Sequence, residues 1–536
     1  MKKYLILLTL AFVAVVASAC ETDPTEPEDR FSPDEIAPSS SVYGENIDVC
    51  YQIFPIAYAD STGDGDGDLT GIAENAEYLS ETLGVDCVWL NPFNPSPSYH
   101  KYDVTDYYGI DPAFGDMDDF EAFMDVMDEH DILVIMDFVI NHTSFNHVWF
   151  QRSRAGEDDY RDWYTWADDL SDYPGTAGWH EYEGEYYYGS FWDQMPELNY
   201  EHEPVREEIY RIAEFWINKG ISGFRIDAAK HIYDHNQYPE GTDTQTKNVE
   251  FFKEFNAHIK NVDEDAFIVG EIWSESDQYL SNYYAGMDSA FNFKLATEIK
   301  EAVNRGRHND VIDTLNASRA SYESVRDDYI DSIFLSNHDM NRVMNTFSMS
   351  EERAALAARI LFTLPGISWV YYGEELGMSG SGADPEKRQP FIWGEDNPYN
   401  TVGTYGTGHG SIRHWDDYNA QLPGVEEQLE DDGSLLNQYI ELIDLKRSHA
   451  PLSSGTLETV DTGSDRFMAY TRSGEQTTYL VLHNMDSNER TTPHNLNEYT
   501  IVYDSHDFND TGDAFELSPR STIVLDIGDA DPSLHD

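Results

Sequence analysis

Gly223-Phe224-Arg225-Ile226-Asp227-Ala228-Ala229-Lys230-His231 opens on an apolar run, residues 221–226, and ends on a carboxylate, an amine and an imidazole. The same grammar recurs along the chain. Asp137-Phe138-Val139-Ile140-Asn141-His142 follows the apolar residues 132–136, Gly270-Glu271-Ile272-Trp273 follows 267–269, and Ser336-Asn337-His338-Asp339 follows 330–335. Upstream, His100-Lys101-Tyr102-Asp103-Val104-Thr105-Asp106-Tyr107-Tyr108 adds a fifth polar segment. Short buried strands that each end in polar side chains are the layout of a closed parallel barrel with its site at the carboxyl ends of the strands. The expected fold class is α/β, a (β/α)8 TIM barrel.

Working outward, strand-like runs alternate with amphipathic stretches. Strands are expected near residues 49–54, 86–90, 132–137, 223–226, 267–270, 289–291, 330–335 and 368–371. Eight such βα units close a barrel. The segment 143–200, rich in Tyr, Trp, Gly and Asp, interrupts the alternation and is expected to form a small insertion domain. A helix over residues 435–448, stopped with help from Pro451, should complete the barrel. Alternating runs such as Arg466-Phe467-Met468-Ala469-Tyr470 and Thr478-Tyr479-Leu480-Val481-Leu482 then predict a C-terminal antiparallel β-sandwich. The expected organisation is a barrel over residues 43–142 and 201–450, the insertion over 143–200 and the sandwich over 451–536.

The chain has 536 residues, 40% of them hydrophobic, so it can bury a substantial core. Its 101 acidic residues against 33 basic ones leave a formal net charge of -68. The charge is spread along the chain rather than gathered in one tail, which points to a salt-rich environment and excludes nucleic acid as a partner. Met1-Lys2-Lys3, an apolar stretch and Ala17-Ser18-Ala19-Cys20 read as a secretory signal over residues 1–19, too short for a spanning helix. Cys20 directly after small residues resembles a lipoprotein cleavage site and would carry a lipid anchor; ordinary secretion with cleavage near Ala19 is the alternative. Residues 20–42, rich in Pro, Glu, Asp and Ser, read as a flexible tether. The expected location is extracytoplasmic, and the expected state is a monomer. Cys50 and Cys87 lie in adjacent strand-like runs, where location permits a disulfide but sequence does not give its geometry. The expectation is two buried free thiols.

Taken together and in this order, the five polar segments resemble the conserved regions of the α-amylase family, glycoside hydrolase family 13. The resemblance runs from about Asp48 to the end of the chain. It implies a retaining enzyme acting on α-glucans or maltooligosaccharides, with Asp227 as nucleophile, Glu271 as general acid and base, and Asp339 as a third carboxylate gripping sugar hydroxyls. Retention requires the first two about 5 to 5.5 Å apart. Arg225, two residues before Asp227, shares its face of an extended strand and is expected to keep the nucleophile ionised. Glu271 must keep its proton in a drier setting. The resemblance further implies sugar contacts from His142, His338, Tyr102, Asp103 and Arg342. Lys230 and His231 would hold the leaving-group side and favour α-1,4 links, while Asp137 orients its loop. Met195-Pro196-Glu197-Leu198-Asn199 looks like the segment marking subfamilies between oligo-1,6-glucosidases and neopullulanases, with Glu197 in place of the usual Asp.

Asp60-Ser61-Thr62-Gly63-Asp64-Gly65-Asp66-Gly67-Asp68 places an oxygen ligand at every second residue, with Gly65 at the sharp turn of an EF-hand loop but Gly71 where its bidentate Glu would stand. It instead resembles the calcium loop after the first strand of oligo-1,6-glucosidase-like members. That implies Ca2+ held by Asp60, Thr62, Asp64, Asp68 and the Asp66 carbonyl. The leading reading is endo-hydrolysis of α-1,4-glucosidic bonds. An exo-acting α-glucosidase or transglycosylase is the nearest rival. A non-catalytic carbohydrate-binding homologue ranks far lower, since such relatives usually lose the carboxylates that are present here.

Overall fold

Eight parallel strands close into a barrel in a computed structural model that describes residues 47–401, 415–492, 496, 499–505, 508–510 and 514–528. The expected leader, the tether and Cys20 lie outside these residues. In chain order the barrel strands are β1 (Val49–Ile53), β2 (Cys87–Leu90), β3 (Leu133–Phe138), β7 (Gly223–Ile226), β8 (Phe267–Gly270), β9 (Ser289–Phe291), β10 (Ile330–Phe334) and β11 (Ile367–Tyr371). Neighbours run β1-β11-β10-β9-β8-β7-β3-β2 and back to β1.

Period-two alternation decides which side chains fill the barrel. Cys50, Trp89, Ile135, Val269, Phe291, Phe334 and Trp369 form one buried cluster, whereas Tyr51, Val88, Met136, Ile268 and Val370, one residue out of step with them, join the larger core under the helices. Arg225 sits in the same register on β7, and its guanidinium lies 5.0 Å over the Trp89 ring. Gln52 and Asp137 continue the inward rows of β1 and β3 at the carboxyl end, so that end of the barrel is polar while the middle is apolar.

The free-thiol expectation is corrected. Cys50 and Cys87 are directly paired across β1 and β2, with Cα atoms 4.6 Å apart, and they form a disulfide. The parallel register brings them opposite each other on the inward face, and sequence spacing does not carry that register.

Between β3 and β7 the chain builds a small antiparallel sheet, β4 (Trp166–Ala167), β5 (Trp179–Tyr182) and β6 (Glu185–Tyr188), in the order β4-β6-β5. A backbone bridge His142↔Glu197 ties its return segment to the loop after β3, and a second, Tyr164↔Leu198, ties it to the residues before β4. After the helix Leu435–Ser448, a one-turn helix Ala450–Ser453 carries Pro451 near its start, so the proline opens a second helix as well as ending the first. The C-terminal part has two antiparallel sheets. One contains β12 (Thr456–Thr459), β13 (Phe467–Ser473), β14 (Thr478–Asn484), β16 (Thr500–Asp504) and β19 (Thr522–Gly528), ordered β12-β13-β14-β19-β16. The other is β15 (Arg490–Thr491), β17 (Phe508–Asp510) and β18 (Phe515–Leu517), ordered β15-β18-β17. Leu480, Leu482, Phe515, Leu517, Ile523 and Leu525 form the core of this part. Among the described residues no helix is long and apolar enough to cross a membrane.

Candidate active site

Arg225 is the hub of the barrel's carboxyl end. Its Nη1 donates to Asp137 Oδ1 at 2.8 Å and to Asp227 Oδ1 at 2.6 Å, and its Nη2 lies 2.9 Å from Glu271 Oε2. The residue is 1% exposed, so one desolvated guanidinium serves three carboxylates. Burial pushes Asp227 and Glu271 above their ordinary values, and the Arg225 charge pulls each back; the negative charge of Asp227 raises Glu271 further. Asp137, pushed up to about 7 mainly by burial, also accepts from Tyr102 Oη at 2.8 Å and from the Trp89 indole at 3.1 Å. Three negative charges around one positive one favour a retained proton in the cluster.

The backbone bends to bring these groups together. Ala228, directly after Asp227, is left-handed with φ 49°, a conformation that costs a non-glycine residue on the order of 1 kcal/mol. That bend turns its N–H onto Glu271 Oε2 at 3.0 Å. Gly270, directly before Glu271, admits no side chain, because a Cβ there would stand 2.3 Å from Met287 Sδ.

Asp339 lies half-buried near the cluster, and its charge raises both Asp227 and Glu271. Its Oδ2 is 3.1 Å from His338 Nε2, and its Oδ1 accepts from Arg388 Nη2 at 2.7 Å. Burial alone would raise Asp339, but His338 and Arg388 outweigh it and hold the carboxyl well below the usual range. Burial pushes the His338 imidazole down. Its Nδ1 is 2.7 Å from Gln52 Nε2, so the bonding pattern assigns a neutral ring with its proton on Nε2, toward Asp339 and Tyr102 Oη. Tyr102 stacks on that imidazole at 5.5 Å and 8°, so the face expected to meet a sugar is in part already covered. His142, pushed down to about 4 by burial, holds the Tyr102 carbonyl at 3.1 Å. Asp103 is 2% exposed and accepts from the Ser96 and Ser98 hydroxyls, which fixes the loop carrying Tyr102. Lys230 Nζ donates to the Trp273 carbonyl at 2.9 Å, and His231 Nδ1 is 2.5 Å from Asp234 Oδ2.

The model of the alpha-amylase catalytic domain matches residues 52–455. The chain belongs to the alpha-amylase family. Alpha-amylase 3 of Dictyoglomus thermophilum is 36% identical over 488 residues, 89% of this chain and 93% of that protein. A 4-alpha-glucanotransferase of Thermotoga maritima is 32% identical over 452 residues, 82% of this chain and 96% of that protein. Among solved structures, the alpha-amylase from H. orenii superposes with a TM-score of 0.80 at 32% identity, covering 90% of this chain and 99% of that one. The chain is accordingly an alpha-amylase-family enzyme acting on α-glucans by hydrolysis or transfer.

One expected sugar contact is buried away from the cleft, and one residue the sequence did not single out joins the site. Arg342 was expected to touch sugar, yet it is 1% exposed, donates to the Lys387 and Tyr372 carbonyls at 2.9 and 2.6 Å, and lies over the rings of Tyr371 and Tyr372. It locks the loop after β11. The cation that reaches Asp339 is Arg388, which also bonds the His338 carbonyl at 3.1 Å and Tyr99 Oη at 2.9 Å. Arg388 lies 49 residues after Asp339 in a loop without periodic pattern, so no spacing signal marks it.

In the loop after β1, Asp60 Oδ1 accepts from the Thr62 and Gly63 amides at 2.9 and 2.7 Å and Oδ2 from the Gly65 amide at 2.7 Å. Asp68 caps the following helix through Gly71 N and also binds Ser61. Asp64 is exposed, and Asp66, partly buried, donates its amide to Asp64 at 3.0 Å. Among the described residues no three His, Cys, Asp or Glu side chains converge as a metal cluster. The two inward carboxylates are thus already served by the loop's own donors.

Proposed function

We propose that this protein hydrolyses internal α-1,4-glucosidic bonds of starch and maltooligosaccharides with retention. The observation that carries the reading is Asp227 and Glu271 bonded to two nitrogens of one guanidinium. Such an arrangement suits the short separation of a retaining pair, about 5 to 5.5 Å, rather than the roughly 6.5 to 9.5 Å that leaves room for a water between inverting carboxylates. Asp227, held by Arg225, attacks the anomeric carbon. Glu271, raised by burial and by the Asp227 charge, holds the proton that passes to the departing oxygen. The same carboxylate then takes a proton from the water that opens the glycosyl ester, giving an α-product. Asp339, kept ionised, accepts from sugar hydroxyls.

Transfer to a second sugar is the competing reading, favoured by the 32% identical 4-alpha-glucanotransferase. Products from soluble starch, maltotriose and isomaltose separate the readings. Mixed maltooligosaccharides, a rapid fall in iodine staining and inert isomaltose support endo-hydrolysis. Glucose alone with staining preserved establishes an exo-acting glucosidase, and products longer than maltotriose formed from maltotriose itself establish transfer.

Calcium in the loop 60–68 belongs to the same proposal, supported by the alternation of oxygen donors in the sequence. The ion would brace the loop after β1 and takes no part in bond cleavage. If it binds, a chelator lowers the thermal midpoint and calcium restores it; an unchanged midpoint with no metal by elemental analysis removes it. An extracytoplasmic, monomeric enzyme, secreted or anchored through Cys20, completes the proposal. Its support is the leader-like start of the chain and a disulfide suited to an oxidising compartment.

A further inference from the structure

Gln52, near the end of β1, and Asn91, directly after β2, are 2% and 1% exposed, and their amides do not titrate. Gln52 Nε2 is 2.9 Å from Asn91 Oδ1 and 2.7 Å from His338 Nδ1. Asn91 Nδ2 donates to Tyr102 Oη at 2.9 Å and to Asp137 Oδ2 at 3.3 Å. Tyr102 Oη lies 2.7 Å from His338 Nε2 and 2.8 Å from Asp137 Oδ2. Five side chains from four strand ends and one loop are thus joined in a closed network under the carboxylates.

Groups that can act in only one way give these bonds their direction. Asp339, held ionised by Arg388, can only accept, so His338 Nε2, 3.1 Å away, carries the imidazole proton. The Nδ1 lone pair then needs a donor, and the Gln52 amide supplies it. With one Gln52 hydrogen on Nδ1 and the other on Asn91 Oδ1, the Asn91 nitrogen faces Tyr102. The Tyr102 oxygen receives protons from Asn91 and His338, so its own hydroxyl proton goes to Asp137. The Trp89 indole, which can only donate, reaches the same Asp137 oxygen at 3.1 Å, and Arg225 donates to the other at 2.8 Å. A protonated Asp137 would have to donate, and each of these partners already donates to it.

Glu271 is served differently. Arg225 Nη2 and the Ala228 amide both meet its Oε2, which leaves Oε1 for a proton. Arg225 and Asp227 face both acids, with Tyr102 beside Asp137 and Asp339 beside Glu271. Burial favours a proton on either, so the direction of the surrounding bonds decides between them. We infer that Gln52 and Asn91 are positioning residues that orient the bonds converging on Asp137 and thereby reserve the proton of the cluster for Glu271. The inference rests on the proposed retaining reaction with Glu271 as acid and adds what keeps the proton there. Reversal is the competing state. With an acceptor in place of the Gln52 nitrogen, His338 Nδ1 carries the proton, the Asn91 amide turns over, Tyr102 donates to it, and Asp137 keeps the proton.

The test turns the bonds round with little change of shape. Gln52→Glu puts an acceptor against His338 Nδ1, Asn91→Asp puts one against Tyr102, and Gln52→Met removes the donor without adding charge. Each is assayed on maltoheptaose, whose leaving sugar needs the Glu271 proton, and on α-maltosyl fluoride, whose fluoride departs without one. In both carboxylate variants kcat for maltoheptaose should fall about a hundredfold, and that for the fluoride by less than about tenfold. Their alkaline limb should move to higher pH while the plateau falls, because the cluster binds its proton more tightly but holds it on the wrong acid. Gln52→Met should show the same substrate bias to a smaller extent. Equal falls on the two substrates, or an unaltered plateau in either carboxylate variant, would overturn the inference. Full activity of Glu271→Gln on maltoheptaose would instead overturn the reaction on which it rests.

Discussion

Arg225 holds three carboxylates from three different strand ends, so each acid is set by the others as much as by its own surroundings. Asp227→Asn, Glu271→Gln and Asp339→Asn are each expected to lower kcat on soluble starch by a factor of about a thousand or more, with the thermal midpoint little changed. Retained activity in any of the three would remove that residue from the constellation. Under the proposed mechanism the alkaline limb of the pH–rate profile should report loss of the Glu271 proton. Since burial raises that group, activity should persist well above its ordinary 4.5, and Glu271→Gln should abolish the limb with the activity. A second buried pair makes a separate prediction. Glu374 and Glu375 are both pushed up to about 7 by burial, with Glu375 accepting from Tyr51 Oη at 2.6 Å and from Tyr78 Oη at 3.0 Å. A folded value above the unfolded one means that the native state holds the proton more tightly. Their stabilising contribution is then full below 4.5 and is lost as pH rises to about 7. The midpoint should fall between pH 5 and 7.5, and Glu375→Gln should flatten that fall; equal slopes would show that Glu375 does not titrate there. Asp227, Glu271 and Asp339 were legible because each ends an apolar run within a recognisable segment. Arg342 stood in such a segment too, but its aromatic seat comes from Tyr371 and Tyr372, distant in sequence. Arg388 stands in no segment at all.

At the scale of elements, β7, β8, β9 and the helix Leu435–Ser448 match the sequence-expected boundaries residue for residue, and the other barrel strands shift by one residue, at one end or, for β3, at both. Apolar runs bounded by polar strand ends make such limits readable. Pairing across strands is not encoded in spacing, which is why the Cys50–Cys87 bond was missed. The bond closes a loop with a sequence separation of 37 residues. In the chain-entropy account that constrains the unfolded state by about 3 to 4 kcal/mol. Cys50→Ser combined with Cys87→Ser is therefore expected to lower the denaturation midpoint clearly, and denatured wild-type protein should give no thiol reaction from this pair before reduction. Two reactive thiols from Cys50 and Cys87 in denaturant would restore the free-thiol reading.

The molecule as a whole carries a formal charge of -68, and the site sits inside that field. Several acids are locally matched: Lys101 pairs with Asp111 at 2.8 Å, Lys260 with Asp288 at 3.2 Å, and Arg326 with Asp328 at 2.6 Å. With 33 cations for 101 acids, local pairing reaches a minority, and the excess must repel through solvent. That repulsion is long-ranged in dilute buffer, where the screening length is about 30 Å at 0.01 M, and is confined to near neighbours at 1 M, where it is about 3 Å. Unfolding spreads the same charges over a larger volume, so salt relieves the folded state more than the unfolded one. The thermal midpoint should therefore rise steadily from 0.01 to 1 M NaCl. It should rise as much with KCl, since screening depends on ionic strength and not on the identity of a bound ion. Starch hydrolysis should follow the midpoint near the unfolding temperature and depend less on salt well below it, because Arg225 and its carboxylates are buried and screened little. A midpoint that falls with added salt, or that responds to one cation alone at matched ionic strength, would show that something other than diffuse carboxylate repulsion governs this fold.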